Sequence, residues 1–132
     1  MQLFGIDFKS LIITLPIIII SLSFHEFMHA YVAYKMGDPT AKLMGRMTLN
    51  PIVHMDPIGM LVMIVTGCFG WAKPVPVNPA YFKDSSKGML GVSLAGPISN
   101  LVLAILFGIC VKITSFSITT PESLERLLII YN

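Results

Sequence analysis

The stretch Leu11–Phe24 is almost wholly apolar and runs unbroken into His25-Glu26-Phe27-Met28-His29 and on through Ala30–Met36. Nothing else in the sequence restricts the fold as strongly. On a helix, residues four apart lie about 40° apart around the axis, so the imidazoles of His25 and His29 point the same way and can share one metal ion. Glu26 follows about 100° round from His25. That offset leaves its carboxylate beside the ion, where it can take a proton from activated water.

The pattern His-Glu-x-x-His fixes only three positions and also arises by chance on ordinary helices. Its setting separates the two readings. Ionisable side chains at membrane depth are costly and mark functional sites, and three in five residues have no packing rationale. A cleavable leader, with Lys9 as its basic flank, would need small residues after the apolar run, and Phe24, His25 and Glu26 stand there instead. Haem ligation fails on geometry, because two side chains on one helix face cannot occupy opposite sides of one iron.

With 55% hydrophobic and 12% charged residues and a mean hydropathy of +0.78, the 132 residues are far less charged than the usual quarter of a soluble domain. The composition places the chain in a lipid bilayer. A formal charge of +2 gives no support for nucleic acid or phosphate binding. Cys68 and Cys110, both in apolar surroundings, read as core residues and argue against disulfides and thiolate zinc sites.

In chain order, a first helix is expected from about Ser10 to Met36, long enough to cross the hydrocarbon, with Gly37-Asp38-Pro39 as its stop. Thr40–Asn50 alternates imperfectly and reads as one or two short strands, Gly45 marking a turn or bulge. The apolar run Met60–Phe69 is too short for a full crossing and suits a re-entrant segment. Three prolines in Gly70–Pro79 rule out regular helix and favour an extended, edge-like path. Gly88–Lys112 reads as a second full span. Its small residues Ser93, Ala95, Gly96 and Ser99 would let it approach the first helix closely. Ser115–Thr120 reads as a turn, and Thr120-Pro121-Glu122 as the start of a third helix. If Met60–Phe69 dips in and returns, Lys35, Lys42, Arg46, Lys73, Lys83 and Lys87 all lie on one side, which the positive-inside tendency makes cytoplasmic.

The segments HEFMHAYVAYKMGDPTAKLMGRMTLNPIVHMDPIG, GWAKPVPVNP and SLAGPISNL, which together run from about His25 to Leu101, resemble the site-2 protease family of intramembrane zinc metalloproteases in its compact prokaryotic branch. The resemblance implies a single membrane-embedded protease core over residues 1–132 in a multi-pass protein of the cell membrane. It further implies Zn2+ on His25 and His29, Glu26 as general base, and hydrolysis of a peptide bond in or beside a substrate's transmembrane helix. Such cleavage often releases a membrane-tethered regulator. The family's third ligand is an aspartate in a Leu-Asp-Gly motif on a later helix, which this sequence does not contain. The expectation is a chain incomplete at its C-terminus, with His54 or Asp56 as alternative third ligands and a structural role for both as the commoner reading. The rival class is a catalytically incomplete fragment or pseudoprotease that binds metal or captures substrate. The expected partners are the bilayer and a membrane protein substrate, and self-association is left open.

Overall fold

The computed structural model describes residues 2–3, 6–67, 69–118 and 129. Two compact units divide the chain, Met1–Asn100 and Leu101–Asn132.

The first unit opens on two paired two-residue strands, β1 (Gln2–Leu3) and β2 (Ile6–Asp7). The long helix α1 (Phe8–Lys35) follows. The expected stop is observed: Met36 is the C-cap and Gly37 takes a φ of 111°, a left-handed conformation that side chains resist.

The strands expected in Thr40–Asn50 are not present. The carboxylate of Asp38 accepts the N–H of Thr40 at 3.0 Å and its hydroxyl at 2.5 Å, which turns the chain into the short helix α2 (Thr40–Leu43). A side chain that satisfies the backbone two residues on competes directly with a strand ladder. Gly45, with a φ of 71°, ends the turn.

Asn50 accepts the N–H of Ile52 and so caps α3 (Pro51–His54). Asp56 caps α4 (Pro57–Thr66) by accepting from Ile58 and Gly59. The two ends of the α4 excursion are tied together, since Met55 forms an antiparallel bridge with Ala72 and the N–H of Lys73 donates to the carbonyl of His54 at 2.9 Å. A segment whose entrance and exit are hydrogen-bonded neighbours returns to where it started. Its path is that of a hairpin.

From Lys73 the chain is non-helical up to a single 3-10 turn, Pro79–Tyr81, as the prolines require. Helix α5 (Ser85–Ile118) then begins. Ala33 of α1, Val92 of α5 and Phe82 form a buried cluster, with Val32 and Val77 packed against it. This cluster joins α1, the extended segment and the first turns of α5.

In the second unit, α5 continues to Ile118, so Ser115 to Ile118 are helical where a turn was expected. Cys110 is exposed rather than in a core. The third helix expected from Pro121, and Cys68, lie outside the described residues.

Lys9–Lys35 and Ser85–Phe116 are long and apolar enough to cross a bilayer, with only 11% and 17% of their apolar windows buried. A soluble core helix would be mostly buried. Instead Ile13, Ile17 and Ile20 on α1, and Phe107 and Val111 on α5, are more than half exposed, a surface suited to lipid and not to water.

Candidate metal centre

Helix α1 carries His25, Glu26 and His29 in its C-terminal half. The expected convergence is observed: the Nε2 atoms of His25 and His29 stand 3.0 Å apart, with the rings edge to face at 4.6 Å between centroids. Two nitrogens about 2.05 Å from one tetrahedral ion would be roughly 3.3 Å apart. The pair therefore fits two corners of a zinc site with little movement.

The opposite side of the pair is built by α5. Gly96 faces both imidazoles so closely that a Cβ there would lie 2.5 Å from each Nε2. Only a residue without a side chain lets the α5 backbone come this near. Val92, one turn earlier, offers its carbonyl to Nδ1 of His29 at 2.5 Å. Asn100, one turn later, places its Nδ2 3.0 Å from Nδ1 of His25, while its Oδ1 accepts the hydroxyl of Ser21 at 3.2 Å. Val92, Gly96 and Asn100 are spaced at four residues, so one stripe of α5 serves both imidazoles. Ser99 and Ala95 are buried beside it, as their small size suggests.

A cleft of about 240 Å³ lies next to the pair, lined by Glu26 and His29 on one side and Pro74, Val75 and Val77 on the other, with Val92 and Ser93 between. Glu26 and His29 thus face one shared cleft. Among the described residues, no hydrogen bond engages the backbone N–H of Val75 or Val77.

His54 and Asp56 do not join the site. The ring of His54 is buried, and its Nε2–H donates to the carbonyl of Thr48 at 2.7 Å. Asp56 is occupied by the cap of α4 and by the indole N–H of Trp71 at 3.1 Å. Both act structurally, and among the described residues no third His, Cys, Asp or Glu is gathered with His25 and His29.

Three contributors were not singled out from the sequence. Asn100 was visible as a polar residue within a span, a signal of function in itself, and the four-residue spacing to Gly96 pointed to its face. The carbonyl of Val92 carries no side-chain signal. Asp38 reads only as part of a helix stop, yet it is fully buried and its Oδ2 accepts the N–H of Asn78 at 2.7 Å, which fixes the extended wall of the cleft. Burial disfavours its charge, but bonds from Thr40 and Asn78 outweigh this and hold its pKa below the usual value.

The sequence model of peptidase family M50 matches residues 13–127. A Bacillus subtilis protein provisionally named zinc metalloprotease YwhC is 55% identical over 96 residues, which cover 73% of this chain and 42% of the relative. A Mycolicibacterium smegmatis protein provisionally named zinc metalloprotease Rip2 is 36% identical over 92 residues, 67% of this chain and 35% of the relative. The Rip2 of Mycobacterium tuberculosis is 35% identical over a stretch of the same length. The chain thus spans less than half the length of these curated relatives. No solved structure matches it. The match to the family model covers most of α1, all of α5 and all three residues of the His-Glu-x-x-His pattern, and the chain belongs to peptidase family M50.

Proposed function

We propose that this chain forms the zinc-binding core of an intramembrane metalloprotease that cleaves peptide bonds in or beside transmembrane segments of membrane proteins. The observation that carries the reading is the convergence of the His25 and His29 Nε2 atoms, 3.0 Å apart, beside a cleft that Glu26 also lines, on a helix long enough to span a bilayer. When bound, zinc supplies an acidified water and polarises the scissile carbonyl. The carboxylate of Glu26 takes the proton of the attacking water and delivers it to the leaving amide nitrogen. His25 and His29 hold their imidazoles fixed through the contacts made by α5.

A helical substrate hides its carbonyls in its own hydrogen bonds, so it must unwind locally to be cut. The extended wall at Pro74–Val77 suits an unwound strand, which would pair with its backbone along the cleft. The strands expected within Thr40–Asn50 are not formed, and that segment is not part of this proposal. Release of membrane-tethered regulators in a multi-pass protein of the cell membrane, with the site opening to the cytoplasm, completes the reading.

The test is Glu26→Gln in the full-length protein, assayed on a substrate with one transmembrane helix. Zinc content is expected to stay at the wild-type level while cleavage is lost; cleavage at the wild-type rate would remove Glu26 from the mechanism. A second reading, a metal- or substrate-binding module without activity, is favoured by the absence of a third ligand among the described residues. Wild-type protein that retains no zinc after purification in zinc-containing buffer would select its substrate-binding form.

A further inference from the structure

The hydrogen bonds that link Val92, the two imidazoles, Asn100 and Ser21 run in a single direction, and the Gly96 backbone also bonds to His25. A carbonyl can only accept, so His29 carries its proton on Nδ1 and donates to Val92, leaving a lone pair on Nε2. His25 Nε2, 3.0 Å away, must then be the donor between the two rings. Its Nδ1 holds a lone pair, which accepts from Nδ2 of Asn100. Asn100 Oδ1 in turn accepts from Ser21. Every group in the series is satisfied.

This arrangement stores a conflict for metal binding. His29 already presents its Nε2 lone pair, but His25 carries a proton on the nitrogen that must become the ligand. To ligate through Nε2, His25 has to become the Nδ1–H tautomer, and that hydrogen then needs an acceptor where Asn100 now offers a donor. An amide carries both functions at nearly the same place. Turned by 180° about its last side-chain torsion, Asn100 would present Oδ1 to His25 and Nδ2–H to the lone pairs of Ser21. The Ser21 hydrogen would then turn to the helix carbonyl four residues back, the bond Ser23 makes to Ile19 at 2.7 Å.

We propose that Asn100 is the positioning residue of His25, and that its side-chain amide reverses when the metal enters, so that His25 changes tautomer with no polar group left unpaired. The proton count is conserved: Nε2 of His25 loses one hydrogen and Nδ1 gains one. The proposal rests on the zinc reading above. It assigns to α5 a role that the metal ligands alone do not reveal, since an outer partner that fixes the tautomer is what makes an imidazole a dependable ligand.

The experiment compares wild type, Asn100→Asp and Asn100→Leu in detergent micelles of the full-length protein. Co2+ affinity is measured by competition with a chelator, alongside the visible spectrum of bound Co2+. Leucine is close in size but neither donates nor accepts, so affinity is expected to fall about 10- to 100-fold. Aspartate accepts from Nδ1–H, and it is expected to bind Co2+ at least as tightly as wild type. Affinity of the leucine variant equal to wild type, or an aspartate variant as weak as leucine, would overturn the proposal. The wild type gives a readout independent of any variant's folding. Nitrogen NMR of 15N-histidine protein is expected to show His25 as the Nε2–H tautomer without metal and the Nδ1–H tautomer with Zn2+. An Nδ1–H tautomer in both states would rule out the reversal. Wild type that binds neither ion defeats the zinc reading itself, a distinct outcome.

Discussion

The carboxylate of Asp38 and the backbone N–H of Asn78 meet at 2.7 Å across forty residues of sequence, and that bond joins the end of the helix that carries His25 and His29 to the extended wall facing it. Because Asp38 is fully buried, its partners cannot be replaced by water. Asp38→Asn turns one acceptor into a donor, opposing either Thr40 or Asn78. The expected cost is about 1–3 kcal/mol, seen as a lower thermal midpoint in detergent.

The same carboxylate predicts an acid limit. Its pKa is lowered in the folded state, its hydrogen bonds outweighing its burial. Its contribution to stability is therefore complete above the ordinary carboxylate pKa of about 3.9 and is lost as pH falls through the folded value. Unfolding followed from pH 6 down to pH 2 should show a loss of stability confined to the acid end. Asp38→Asn should flatten that part of the curve; an unchanged acid slope in the variant would assign the effect to other carboxylates.

His54 and Asp56 separate structure from ligation. Asp56→Ala removes the cap of α4 and the acceptor of Trp71, so the thermal midpoint should drop while zinc content stays at the wild-type level. His54→Ala should behave in the same way, since the ring donates to Thr48 and stands apart from the two convergent imidazoles. Loss of zinc in a variant that remains folded would restore that residue as a ligand.

The sequence makes α1 legible because its apolar length, its Gly37 stop and its histidine spacing all point to one element. The close approach of α5 was also legible, from the small residues around Gly96. The region Thr40–Asn50 was misread for a local reason: Asp38 turns its carboxylate onto Thr40, a bond that hydrophobic alternation cannot register. The roles of Val92 and Asn100 escaped for a different one. They depend on which atoms a neighbouring helix presents, and the contribution of Val92, a backbone carbonyl, leaves no chemical mark in a sequence.

The path of α4 fixes a side for the flanking loops. Met55 and Ala72 are bridged, so residues before and after the excursion emerge together. Single cysteines at Met44 and Lys83, in a background with Cys68 and Cys110 replaced by serine, should both react with a membrane-impermeant maleimide from the same side of sealed vesicles. Labelling from opposite sides would mean that α4 crosses, and the hairpin description would fail.

Gly96 provides the sharpest steric test of the centre. A methyl group there would sit 2.5 Å from the Nε2 atoms of both His25 and His29 and 2.6 Å from Cε1 of His25, well inside van der Waals contact. The variant must either push α5 away from α1 or rotate both imidazoles, and each response moves the nitrogens by a large fraction of an ångström. Metal sites tolerate about 0.5 Å, so Gly96→Ala should bind Co2+ at least about tenfold more weakly, comparable with loss of an outer partner. Helix content should stay unchanged, since alanine is the better helix former. Gly108→Ala is the control, because a Cβ there meets nothing within 4 Å, and it should bind as wild type does. Equal affinity in Gly96→Ala and Gly108→Ala would show that α5 does not press on the histidines, and the described centre would have to be rebuilt without it.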